Sequence, residues 1–120
     1  MRVFVAGGSG VLGTRLVSLL VADGHEVAAM TRSPEKVDGL LRLGATPVVC
    51  DIFEAEVLRE AVVSFRPDAV MHQATDLPDD EADLATRRAG NARIRREGTT
   101  NLVAAARAAG ASRFLAQSVA

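Results

Sequence analysis

One phrase repeats along this chain: a short β-branched apolar run, a turn, a stretch with apolar side chains at helical spacing, a glycine or proline, then another apolar run. Residues 2–6 (RVFVA), 25–30 (HEVAAM), 46–50 (TPVVC), 68–72 (DAVMH) and 113–118 (RFLAQS) read as five strands. After the first strand, Leu12, Leu16, Leu19 and Leu20 are expected to form one buried helical stripe, which Gly24 stops. Ser33 and Pro34 suit the cap and first turn of a second helix ending at Gly44. Residues 54–65 carry Val57, Leu58, Ala61, Val62 and Phe65 as a third helix closed by Pro67, and a long helix after residue 72 reaches about residue 109, with Gly110 as its stop. Strands that alternate with helices of roughly ten or more residues pair in parallel, because each crossover returns the chain to the same edge. Right-handed crossovers then give an α/β, doubly wound parallel sheet in the order 3-2-1-4-5, truncated after the fifth strand.

Composition narrows the class. With 120 residues, 48% apolar and 24% charged, the chain fills one compact domain, residues 1–120, around a single core. Fourteen basic and fifteen acidic side chains leave a formal charge of −1. No broad cationic field exists to hold nucleic acid or anionic lipid, so the expected partner is a small molecule. Cys50 is the one cysteine and has no internal disulfide partner; with His25 and His72 as the only histidines, no metal site follows from the usual ligand spacings. The opening residues lack the features of a signal peptide, and no apolar run reaches the roughly eighteen residues of a membrane span, which together read as a cytoplasmic protein.

Gly7, Gly8, Ser9, Gly10, Val11, Leu12 and Gly13 stand between the first strand and the first helix. A dinucleotide fold brings its backbone against a pyrophosphate at that place. Glycines allow the tight turn and the close approach, and the amides at the helix N-terminus, carrying roughly +0.5 charge, attract phosphate. Gly7, Gly10 and Gly13 fit one spacing, GxxGxxG; Gly8, Gly10 and Gly13 fit another, GxGxxG. The second calls for an acid about twenty residues on, at the ribose 2′-hydroxyl of NAD. The chain instead ends its second strand in Ala28, Ala29 and Met30, followed by Thr31 and Arg32. A guanidinium suits a 2′-phosphate, so NADP is favoured over NAD; the plainer role for Arg32 is a solvated charge at a strand end. Asp51 lies at the carboxyl end of a parallel strand, where such folds bind ligands, or else caps the following helix.

Five short motifs occur in order: GGSGVLG after the first strand, Thr31-Arg-Ser-Pro-Glu-Lys36 after the second, Cys50-Asp51-Ile52 after the third, His72-Gln-Ala-Thr75 after the fourth, and Asn91…Glu97-Gly-Thr-Thr-Asn-Leu102. Together they resemble the extended short-chain dehydrogenase/reductase superfamily, in its NAD-dependent epimerase/dehydratase branch, nearly end to end. The resemblance implies a Rossmann-type fold and places Gly7, Ser9, Gly10, Val11, Leu12, Gly13, Thr31 and Arg32 at the cofactor. It implies that Asp51 accepts a hydrogen bond from the adenine amino group with Ile52 beside the ring, and that Gln73, Ala74 and Thr75 line the cofactor, Thr75 replacing the family's second alanine. His72 reads as a strand-end packing residue. Asn91 matches the helix asparagine whose backbone supports the proton relay. Ser118 stands where the family has a serine pair leading to its catalytic serine, with Val119 in the second place.

The family's Tyr-x-x-x-Lys dyad is absent: the chain has no Tyr, and Lys36 is its one lysine. The resemblance therefore implies the N-terminal, NAD(P)-binding portion of a longer oxidoreductase, epimerase or dehydratase, whose substrate domain is absent and which transfers hydride at a carbon bearing oxygen, with a nucleotide sugar among the candidate substrates. The alternative is a non-catalytic NADP-sensing regulator of the NmrA-like type. Family members often form homodimers through helices on this face. Arg87, Arg88, Arg93, Arg95 and Arg96 follow an acidic cluster, Asp76, Asp79, Asp80, Glu81 and Asp83; they read as solvated ion pairs sooner than as a grip on an anionic substrate.

Overall fold

A computed structural model describes residues 1–73 and 92–116 of the chain. Five strands, β1 (Arg2–Ala6), β2 (Glu26–Thr31), β3 (Thr46–Val49), β4 (Ala69–His72) and β5 (Arg113–Ala116), form one parallel sheet in the order β3-β2-β1-β4-β5. The expected α/β topology is the observed one. The chain first winds outward from β1 to β3, then returns to the other side of β1 for β4 and β5, so the winding reverses between β1 and β4. At such a reversal the two neighbouring crossovers lie on opposite faces and leave a crevice beyond the carboxyl ends of the strands.

Both faces of the central strand are buried, and its side chains alternate between two cores. Val3 and Val5 pack with Val27, Ala29, Val17 and Leu40 on one face; Phe4 and Ala6 pack with Met30, Val70, Leu58, Val62 and Leu102 on the other. The first layer is covered by α1 (Val11–Ala22) and α2 (Val37–Arg42), the second by α3 (Ala55–Phe65) and α4 (Thr99–Ala109). A helix covers each face of each inner strand, which is why β1, β2 and β4 read as nearly unbroken apolar runs.

Two local expectations are corrected. In α1 the sheet-facing residue is Val17, fully buried, flanked by the partly buried Leu16, Leu20 and Val21, whereas Leu12 and Leu19 are 58% and 69% exposed. The rotation of α1 is set by Gly13, whose Cα rests on the glycine loop, and a stripe that includes residues 13 and 17 turns 12 and 19 away from the sheet. At the second helix, Ser33 makes no side-chain cap; its amide donates to the Thr31 hydroxyl (3.1 Å), and residues Pro34–Lys36 form a single 3-10 turn before α2. Gly24, Gly44 and Gly110 end their helices with positive φ, as expected, while α3 ends on Arg66 in the left-handed conformation (φ 54°) just before Pro67.

The amino ends of the strands are tied by Arg2. Its guanidinium donates to the Phe65 carbonyl (3.0 and 2.7 Å), pairs with Glu26 and lies over the Phe65 ring, and its amide donates to Asp68. This clamp closes the end of the sheet opposite the crevice. No helix among the described residues is long and apolar enough to cross a membrane.

Candidate functional site

The crevice begins where β1 ends. Gly7 has φ 83°, a conformation that disfavours any side chain, and its amide and that of Gly8 both donate to the Met30 carbonyl (3.1 and 3.0 Å), binding the loop to β2. Gly8 lies against β2 so closely that a Cβ would stand 2.8 Å from the Ala29 methyl. A Cβ on Gly13 would stand 2.2 Å from the Gly7 carbonyl oxygen. At Gly10 a Cβ would meet nothing nearer than 3.9 Å. Gly7 is therefore needed for its backbone conformation and Gly8 and Gly13 for close packing, and of these four Gly10 alone has room for a side chain. Both spacings found in the sequence are satisfied because the four glycines serve different contacts.

Gly10 caps α1 without a side-chain hydrogen bond, and the first helical bond runs from the Thr14 amide to the Gly10 carbonyl (2.8 Å). The amides of residues 11–13 precede the helical ladder and sit at the positive end of a three-turn helix. Leu12, beside them, turns outward. An anionic group with a close backbone approach fits this end of α1, where, chain neighbours aside, a Cβ on Gly10 would be in ordinary van der Waals contact with the Gly7 carbonyl oxygen at 3.9 Å.

The end of β2 is locked to the same loop. The hydroxyls of Ser9 and Thr31 are 2.9 Å apart, and the Thr31 oxygen also accepts the Ser33 amide, so the 3%-exposed Thr31 orders the loop and the turn together. Arg32 follows immediately and is exposed at the rim. At the end of β3, Asp51 is half-buried; its Oδ1 accepts the Phe53 amide (2.9 Å) and its carbonyl the Glu54 amide (3.0 Å), forming the turn into α3. The helix itself begins only at Ala55, so Asp51 shapes the turn before it. Ile52 is buried, 5% exposed, in the core beneath the start of α4. Gln73 follows β4, with its amide donating to the Ala6 carbonyl (2.8 Å) across the switch point.

Gly7, Ser9, Gly10, Thr31, Arg32, Asp51 and Gln73 thus lie along the carboxyl ends of four adjacent strands. Ala74, Thr75, Asn91 and Ser118, like the acidic cluster and Arg87 and Arg88, lie outside the described residues. Two titratable groups border the crevice from inside. Burial, assisted by Glu54 and Asp51, pushes the Cys50 thiol up to about 11, so it stays protonated. Burial also lowers the His72 imidazole from its ordinary value, against a hydrogen bond to the Ile94 backbone that acts in the other direction. His72 is a neutral packing residue, as its strand-end place suggests.

Sequence reasoning missed one part of this region. The helix preceding α4 contains a π-turn, Ile94–Gly98, and it grips the 51–54 loop from above. The Arg93 guanidinium lies over the Phe53 ring (3.9 Å) and Asn101 donates to the Ile52 carbonyl (3.0 Å). Asn101 and Gly98 stood in the family phrase, but nothing in the sequence pairs Arg93 with Phe53.

Comparison with known proteins agrees with this geometry. The family described as NAD dependent epimerase/dehydratase matches residues 3–119. The chain is 45% identical over its full length to a 3-diazoavenalumate denitrifying reductase from Streptomyces, covering 38% of that protein. The Bordetella bronchiseptica enzyme WbmG, solved in complex with NAD, superposes with a TM-score of 0.77 at 28% identity, over 97% of this chain and 36% of that one. A UDP-glucose 4-epimerase from Thermotoga maritima, solved with UDP-glucose, superposes with a TM-score of 0.80 at 25% identity, over 99% of this chain and 38% of that one. The chain spans little more than a third of the length of these relatives. With 117 of its residues inside the family match and the switch-point crevice in place, this chain belongs to the NAD-dependent epimerase/dehydratase family.

Proposed function

We propose that the chain binds a nicotinamide dinucleotide across the carboxyl ends of β1, β2 and β3, as the coenzyme-binding portion of a longer oxidoreductase or epimerase. The observation that carries this reading is the loop itself: Gly8 and Gly13 are closely packed, while a Cβ on Gly10, beside the N-terminal amides of α1, would come no nearer than an ordinary 3.9 Å contact with the Gly7 carbonyl oxygen. The pyrophosphate lies against the amides of residues 11–13, the adenosine ribose beside Thr31 and Arg32, and the adenine at the turn that Asp51 holds. One Asp51 oxygen holds the Phe53 amide, and the other is the acceptor for the adenine amino group. Gln73, with Ala74 and Thr75 after it, borders the nicotinamide half.

Arg32 directs the site toward NADP, because the end of β2 (Met30, Thr31, Arg32) carries no carboxylate to receive a ribose 2′-hydroxyl and a guanidinium there pairs with a 2′-phosphate. The bound dinucleotide supplies the hydride donor or acceptor, and the protein supplies orientation. The WbmG complex with NAD and the Streptomyces reductase support a redox role. The reaction is hydride transfer at a carbon bearing oxygen, with Ser118 as the catalytic serine, Asn91 as a supporting group and a Tyr-x-x-x-Lys pair supplied by the longer parent. The second reading is a dinucleotide sensor of the NmrA-like type that performs no chemistry.

Calorimetric titration with NADP and with NAD tests the first step. Saturable binding of either is expected, with NADP the tighter; no signal at millimolar concentration of either would refute it. Arg32→Ala should weaken NADP far more than NAD, and equal losses would remove the 2′-phosphate assignment. A reductase or epimerase activity that requires the Tyr of the parent separates enzyme from sensor.

A further inference from the structure

The loop at the end of β3 is held from above by one short piece of helix. Asn101 Nδ2 donates to the Ile52 carbonyl (3.0 Å). A Cβ on Gly98 would stand 3.0 to 3.3 Å from three atoms of the Ile52 side chain. Arg93 lies over the Phe53 ring and is held there by Glu97 (3.1 Å). Asp51, between β3 and these two anchored residues, bonds the Phe53 amide. Its carboxylate is therefore linked, through the two residues that follow it, to residues more than forty positions away in the chain.

The π-turn is what makes this grip feasible. Residues five apart point about 140° away from each other in an α-helix, so Arg93 and Gly98 would face different directions. In Ile94–Gly98 the Thr99 amide bonds the Ile94 carbonyl, five residues back, which brings positions five apart onto the same side. Arg93 and Gly98 then both meet the 51–54 loop, and Asn101 follows less than a turn later. The same turn contacts the end of β4 through the Ile94 backbone and His72. A π-turn sacrifices regular helical bonding, and here the three contacts on one loop are what it secures.

We propose that Asn101 and Gly98, presented by this π-turn, are positioning residues that set the base selectivity of the dinucleotide site by fixing the Asp51 carboxylate. This rests on the dinucleotide reading above. It adds that selection for an amino-bearing purine depends on a helix that does not itself touch the base. A carboxylate held in one place accepts a hydrogen bond from an adenine amino group and repels the oxygen at that position of hypoxanthine. A carboxylate free to turn discriminates less, since it can move away from the oxygen.

The test compares the affinity of the 120-residue chain for NADP and NAD with that for their hypoxanthine analogues, in which the adenine amino group is replaced by oxygen. The unaltered chain should prefer the adenine form by about tenfold, the range of one charge-assisted hydrogen bond. In Asn101→Ala the preference should fall below about threefold through loss of affinity for the adenine form, with the hypoxanthine form changing less than about twofold. Gly98→Ala should shift it in the same direction. Equal weakening of both forms in Asn101→Ala would reduce the residue to scaffold and overturn the proposal, as would an unaltered chain that does not distinguish the bases. Should Asn101→Ala fail to fold by circular dichroism, Arg93→Ala at the exposed end of the grip gives the same readout, and an unchanged preference there overturns it. Absence of any dinucleotide binding by the unaltered chain would refute the cofactor reading itself, which separates the two failures.

Discussion

Gly13 sits over the carbonyl of Gly7 so closely that a Cβ at residue 13 would stand 2.2 Å from the oxygen. The contact is backbone on backbone, and no flexible side chain can yield. Gly13→Ala should therefore destabilise the fold by about 3 kcal/mol or more, since α1 has to move off the loop. Gly10→Ala should change stability by less than about 1 kcal/mol and weaken dinucleotide binding about tenfold, because its methyl meets the Gly7 carbonyl only at an ordinary 3.9 Å and lies where the pyrophosphate approaches. Urea denaturation and cofactor titration of both variants check this; equal stability losses would contradict it.

Thr31 holds the glycine loop and the turn after β2 through one hydroxyl, near Ser9 and Ser33. Thr31→Val keeps the shape and removes both bonds. It should cost about 1–2 kcal/mol, because the Ser33 amide loses its partner in a part-buried place, and it should loosen the loop enough to weaken cofactor binding. Thr31→Ser, which keeps the oxygen, should recover most of both losses. Thermal melts and titrations of the pair decide the matter.

The buried thiol and imidazole give opposite pH limits. The Cys50 thiol stays protonated up to about 11 in the fold and ionises near its ordinary 9.0 when unfolded, so stability is lost as pH rises from 9 toward 11, at up to about 1.4 kcal/mol per pH unit. His72 has a lowered folded value, so the unfolded chain binds its proton first, and stability is lost as pH falls below 6.5. Denaturation midpoints against pH should flatten on the alkaline side in Cys50→Ala and on the acid side in His72→Gln, each relative to its own value at neutral pH. The native thiol should also resist iodoacetamide at pH 7 and react once the chain is unfolded.

Arg66 ends α3 at φ 54°, where a Cβ is strained by about 1 kcal/mol. Arg66→Gly relieves that strain and gives back part of it as chain entropy, so a net gain of about 0.5 kcal/mol is expected in urea denaturation. A loss would mean that the Arg66 side chain contributes contacts worth more than the strain.

The alternation of apolar runs with helical stretches determined the sheet, its parallel pairing and its order, because local periodicity and crossover handedness leave few other arrangements. The glycine loop and the strand-end motifs located the crevice for the same reason: residues adjacent in the chain act together in a turn. Helix phase was another matter. Leu12 and Leu19 suit a buried stripe as well as Val17 does, and only the seat of Gly13 on Gly7, a contact between the helix and the loop that precedes it, rotates α1 to bury Val17. The hydroxyl pair of Ser9 and Thr31 and the grip of Arg93, Gly98 and Asn101 on the 51–54 loop join residues from 22 to 49 positions apart. No periodicity encodes such pairs. They exist because the sheet brings the ends of distant strands to one crevice and a π-turn directs a helix onto one of them.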